Sequence, residues 1–122
     1  MAYYKSFYQD ENLYLAGPEC FYPNGSQRLA AMRRQAEAYG FGVALPNDNP
    51  LSLDNADLQK NADSLFKNCA DSINASTAIL VDLETFRGTE PDGGSICELG
   101  MAYARNLRCY GYTRDGRNMV HK

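Results

Sequence analysis

Residues 77–83 read TAILVDL, an almost unbroken apolar run with a single aspartate near its end. A strand that is apolar on both faces must be covered on both faces, which is the condition of a parallel sheet flanked by helices. The rest of the chain fits that demand. Residues 12–16 (NLYLA, closed by Gly17-Pro18), 41–45 (FGVAL, stopped by Pro46) and 108–112 (RCYGY) are three further short candidate strands. Helical spacing fills the gaps between them. Leu29, Met32, Ala36 and Tyr39 follow the turn Pro23-Asn24-Gly25, with Ser26 as the expected N-cap. Leu58, Ala62, Leu65, Cys69 and Ile73 mark one face of a long helix, expected to be capped by Asp54 after a polar loop at 46–53. A third helix is expected over 94–106. This alternation predicts an α/β fold: a flavodoxin-like open parallel sheet of four to five strands, with helices on both faces and right-handed crossovers.

At 122 residues the chain has room for one buried core. We expect a single domain over 12–122, preceded by an N-terminal extension of residues 1–11. Twelve basic and fifteen acidic residues give a net charge of −3, which does not suit a nucleic-acid backbone or an anionic membrane as partner. No apolar run approaches the ~20 residues that span a bilayer. The opening MAYYKSFYQDEN is polar and lacks the apolar core of a signal peptide. Cys20, Cys69, Cys97 and Cys109 lie far apart, with no CxxC pair and no metal-ligand spacing. Reduced thiols and a cytoplasmic location are the expectation. Nothing calls for a metal or another cofactor.

In open α/β sheets, ligands bind beyond the carboxyl ends of the strands, where the strand order switches. The loops at those ends, AGPECFYPNG, PNDNPLSL and DLETFRGTEPDGG, hold Asp48, Asp82, Arg87 and Asp92. Glu98 lies about one turn into the helix that follows the last of them. Topology therefore draws Tyr14, Asp82, Asp92 and Glu98 towards one crevice. Two carboxylates in different surroundings can divide the work of nucleophile and proton donor, as in retaining glycosidic cleavage when they stand ~5 Å apart. The same spacing also fits a plain alternative, in which Asp92 only caps the helix and Glu98 is an exposed helix acid. Gly93-Gly94 opens the helix without GxGxxG or GxxxxGK[ST], so it reads as a tight turn and not as a phosphate loop.

LYLAGPECF (13–21), PNDN (46–49) and DLETFRGTEPDGGSICELGMAYA (82–104) together resemble the nucleoside 2-deoxyribosyltransferases. The central motif, Phe86-Arg87-Gly88, Glu90-Pro91-Asp92, Gly94 and Glu98-Leu99-Gly100-Met101-Ala102, is long and specific. The resemblance implies Glu98 as nucleophile, Asp92 as the group that helps protonate the base, and Tyr14 as the contact to the nucleophile. It further implies Phe21 packed on the base, and Asp48 and Asn49 along the base pocket. Asp82, Arg87 and Gly94 would border the substrate, with Arg87 expected to orient the turn by pairing with Asp82 or Glu90. Two features depart from the family pattern. The base-facing aspartate of the second long helix has Asn68 or Cys69 nearest to it, and the chain stops at Lys122 where relatives continue into a segment that completes a neighbour's sugar site.

The reaction so implied moves a 2-deoxyribosyl group between nucleobases through a deoxyribosyl–glutamate ester, with ping-pong kinetics and retention. Its partners would be a deoxynucleoside, a free nucleobase and other copies of the chain in a homo-oligomer. Two alternatives stand beside it. One is a hydrolase of deoxynucleoside 5′-monophosphates, disfavoured by acidic Glu19 and Glu90 in the loops. The other is a catalytically silent nucleoside-binding domain. His121 reads as solvated, and the cluster Tyr3, Tyr4, Tyr8 as interface or tag-like sequence.

Overall fold

The computed structural model describes residues 11–48 and 54–118. Asn49, His121 and the tyrosines of the N-terminal extension lie outside the described residues. Four parallel strands, β1 (Asn12–Ala16), β2 (Gly42–Ala44), β3 (Ala78–Asp82) and β4 (Arg108–Tyr112), form a sheet in the order β2-β1-β3-β4. Three helices connect them: α1 (Gly25–Ala38), α2 (Leu58–Asn74) and α3 (Gly93–Ala104), with a single 3-10 turn at Glu19–Phe21 before α1. This is the flavodoxin-like order, and the switch falls between β1 and β3.

The period-two alternation of the central strands divides the core between the faces. Tyr14, Ala16, Ile79 and Val81 pack with Ile73 of α2 and Ala102 of α3 on one face. Leu13, Leu15 and Ala78 pack with Leu29 of α1 and with Leu45 on the other. Leu15, Leu29, Ile73 and Ile79 are almost wholly buried, each stabilising the fold by about 1.5–3 kcal/mol relative to exposure. The apolar stripe of α2 is only partly used: Ile73 is buried, whereas Leu58 and Leu65 are exposed at 77% and 48%. Among the described residues no helix is long and apolar enough to cross a membrane.

Helix ends follow local chemistry. Gly40 (φ 95°) ends α1 with Gly40 N–H to Glu37 O and Phe41 N–H to Ala36 O, and Asn106 (φ 64°) ends α3 in the same way through Ala102 and Tyr103. Two expected N-caps are displaced. Helix α1 starts two residues early, with Asn24 and not Ser26 at the cap position. Gly25 tucks beneath the 3-10 turn and donates to Tyr22 O at 2.9 Å, so the helix begins there and Ser26 falls inside it. Helix α2 is capped by Asp57, whose carboxylate accepts from Gln59 N at 3.0 Å, and not by Asp54. Reciprocal bonds between Asn55 and Asn61 hold the chain outside the helix until Asp57.

Candidate active site

Tyr14 stands in the middle of the central strand β1, opposite Ala44 on one side and Ile79 on the other. It is fully buried, and its hydroxyl donates to Glu98 Oε2 on α3. Burial raises the phenol far above its ordinary value, and the Glu98 charge adds to the effect. Both effects hold Tyr14 in its protonated, donating form. Glu98, half-buried, is raised above its ordinary value, first by burial and further by the charge of Asp92. Hydrogen bonds from Tyr14 and Cys69 work against that rise. The site thus balances a costly buried carboxyl against two donors that favour its charged form.

Asp92 is the N-cap of α3. Its Oδ2 accepts from Ser95 N at 2.9 Å and from Ser95 Oγ at 2.8 Å. The capping role considered from spacing is therefore real, and Asp92 also lies close enough to Glu98 to act on its charge. Gly94 makes room for this carboxylate, because a Cβ there would approach Asp92 Oδ2 to 3.3 Å. Ser95 is completely buried. The sequence reading did not single it out, although an aspartate three residues before a serine at a helix start is the signal that could have found it.

Around the mouth, Phe21 at the end of the 3-10 turn stacks on Phe86, with centroids 5.7 Å apart and planes at 26°. Tyr22 meets Phe86 edge-on at 5.8 Å. Arg87, held at φ 54°, lies over Phe86 at 4.6 Å and over Phe21 at 5.6 Å. Neither Asp82 nor Glu90 is the partner that the structure gives it; the guanidinium stacks on the rings, an arrangement favoured by the ring quadrupole. Phe21 keeps 56% of its surface exposed, so a flat apolar face remains open beside the crevice.

The remaining expected residues are distributed differently. Asp82 ends β3, buried, and accepts from Glu84 N at 2.9 Å. Asp48 accepts from Leu45 N at 2.9 Å and from Arg33 at 2.5 Å, so its carboxylate shapes its own loop. Asn68 lines a polar cleft of about 350 Å³ with Asn12, Ala44, Asp48 and Asp71, away from Glu98. Its neighbour Cys69 is the α2 residue that bonds to Tyr14 and Glu98, and burial raises its thiol above the ordinary value.

The profile described as nucleoside 2-deoxyribosyltransferase matches residues 13–122. No protein of curated function matches the sequence. The solved 2-desoxiribosyltransferase from Leishmania mexicana is 33% identical, with a TM-score of 0.73 over 91% of this chain and 69% of its own. A 2-deoxyribosyltransferase from Bacillus psychrosaccharolyticus shares the fold at 19% identity and a TM-score of 0.66, over 89% of this chain and 78% of its own. A CMP N-glycosidase from Clostridium botulinum shares it at 18% and 0.56, over 85% and 76%. The chain belongs to the nucleoside 2-deoxyribosyltransferase family.

Proposed function

We propose that the protein transfers a 2-deoxyribosyl group between nucleobases, with Glu98 as nucleophile. The observation that carries this reading is the bond from buried, neutral Tyr14 to one oxygen of Glu98. It fixes the carboxylate plane, and the oxygen that Tyr14 does not hold attacks C1′ through an oxocarbenium-like transition state. Asp92 donates or relays a proton to the leaving base, which otherwise departs poorly. The C1′–N bond breaks as the C1′–O bond to Glu98 forms. A second base entering the vacated place reverses the sequence, with overall retention. Phe21 and Phe86 offer the stacking surface for either base, with Arg87 and Gly94 at the border.

Incubation with deoxyinosine and adenine tests the reading. Deoxyadenosine formation supports it, hypoxanthine release without a new nucleoside replaces transfer by hydrolysis, and no reaction leaves a nucleoside-binding domain. Hydrolysis of a deoxynucleoside 5′-monophosphate keeps one argument in its favour. Glu19 is buried at 5% exposure and so does not confront a phosphate at the rim, where Arg87 supplies a cation. A monophosphate arm in the same assay separates the two. Exposed Phe66 on α2 and Tyr103 on α3, at 60% and 77%, suit a homo-oligomer, which sedimentation would register. The free cysteines suit a reducing compartment such as the cytoplasm.

A further inference from the structure

The segments that carry the aromatic platform also carry a pair of carboxyls that the reaction above does not use. Glu19, in the 3-10 turn after β1, and Asp82, the last residue of β3, are both buried, at 5% and 8% exposure. Gly17 separates them: a methyl group there would overlap the Glu19 carboxyl and come within 2.8 Å of Asp82 Cβ. Two side chains that can only accept when ionised therefore meet over a glycine, out of water. Such a pair is stable only with a proton between them. Asp82 Oδ1 accepts the Glu84 amide, which favours Asp82 as the acceptor and Glu19 as the donor.

We propose that Glu19 and Asp82 form a proton-sharing brace that fastens the first loop to the end of β3 and keeps the Phe21–Phe86 platform closed over a nucleobase. Both are positioning residues for the transfer proposed above, and the inference rests on that reading for its substrate. The connection is short. Phe21 ends the turn that contains Glu19, and Phe86 lies four residues beyond Asp82. The groups facing the pair are Arg28 from α1, Cys20 from the same turn, Tyr112 from β4 and Glu84 from the loop after β3. Arg28 is the one cation in that set, and it opposes the rise of the Glu19 carboxyl. Burial, then the bond and charge of Asp82, push that carboxyl up to about 8. Above that pH the shared proton leaves, two buried carboxylates repel, and the turn carrying Phe21 separates from Phe86. Binding of the base weakens, while Tyr14, Asp92 and Glu98, held on β1 and at the start of α3, keep their places.

The test combines three measurements on the full chain. Carbon-13 carboxyl NMR should show Glu19 protonated at pH 7 and ionising near pH 8, and Asp82→Asn should return it towards the ordinary carboxylate range. A Glu19 already ionised at pH 6 would overturn the brace. In equilibrium dialysis, adenine should bind about tenfold more weakly at pH 9 than at pH 7, as one lost proton requires. Glu19→Gln keeps an N–H donor to Asp82 and has no proton to lose, so its binding should be the same at both pH values. A Glu19→Gln protein that weakens as wild type does, or no pH effect in wild type, would overturn it. In transfer from deoxyinosine to adenine, the alkaline loss should fall on KM and spare kcat. An alkaline loss in kcat alone would remove the positioning role. Should Glu19→Gln fail to fold, Asp82→Asn carries the binding test, with a constant affinity expected between pH 7 and pH 9. A normal brace by NMR and binding, without transfer, would instead remove the transferase reading.

Discussion

The hydroxyl of Tyr14 on the first strand donates to the carboxylate of Glu98 on the third helix. Removing that donor should be felt in the chemical step. Tyr14→Phe is expected to lower deoxynucleoside kcat by about ten- to a hundredfold, the range for a hydrogen bond to a charged group. The Tyr14 bond lowers the Glu98 pKa, so its loss moves the acid limb of the kcat/KM profile to higher pH. The preference for deoxyadenosine over adenosine should narrow, because the space beside the 2-position loosens. A profile unmoved from wild type would show that the bond does not act on the nucleophile.

Glu98→Ala should abolish exchange, and mass spectrometry of wild type with a slow substrate should find a deoxyribosyl adduct on the peptide containing Cys97-Glu98-Leu99. Residual turnover of a tenth or more in the mutant would rule Glu98 out as nucleophile.

Asp92 combines a helix cap with a proposed proton relay, and two substitutions separate them. Asp92→Asn keeps an acceptor for Ser95 and should melt close to wild type. It should slow transfer from poor leaving groups by about 10²–10⁴-fold, with much less effect on activated ones. Asp92→Ala should also lose about 1 kcal/mol of stability with the cap, read by urea denaturation. Equal losses for good and poor leaving groups would leave Asp92 as a cap alone.

Stability should depend on pH through Glu98. Burial raises its folded-state value, so the folded chain holds the proton more tightly than the unfolded one. The associated stability is full below the unfolded carboxylate value and is lost as pH rises through the folded value. Glu98→Gln has no such loss. It should melt above wild type at neutral pH, and the gap should close below about pH 4. A constant gap across pH would contradict the burial argument.

Sequence and structure agree where the signal is local. Strands β1 and β4 keep their expected bounds, and Gly40 and Asn106 end helices as a residue tolerant of positive φ should. The motifs at 13–21 and 82–104 hold Tyr14 and the pair Asp92 and Glu98, which the fold brings together. Residues whose role depends on how two elements lean on each other were less legible. Whether Asn68 or Cys69 faces Glu98 is decided by the rotation of α2 against α3, which no spacing within α2 encodes. Asp48 looks available for a ligand until Arg33, fifteen residues away, is seen to hold it. Glu19 looks like a loop acid on the rim, yet Gly17 leaves room for its carboxyl to fold inwards, out of water.

The bond between Tyr14 and Glu98 also makes turnover a clock for folding. Its partners stand 84 residues apart, and Tyr14 belongs to a strand that must be flanked by both β2 and β3. A chain with only its helices formed, or with only β3 and β4 paired, has no oriented nucleophile. Long-range closure of this kind comes late, because loop entropy is lost before the contact is gained. During refolding, activity should therefore return after far-ultraviolet ellipticity, and the lag between them times the docking of the first strand.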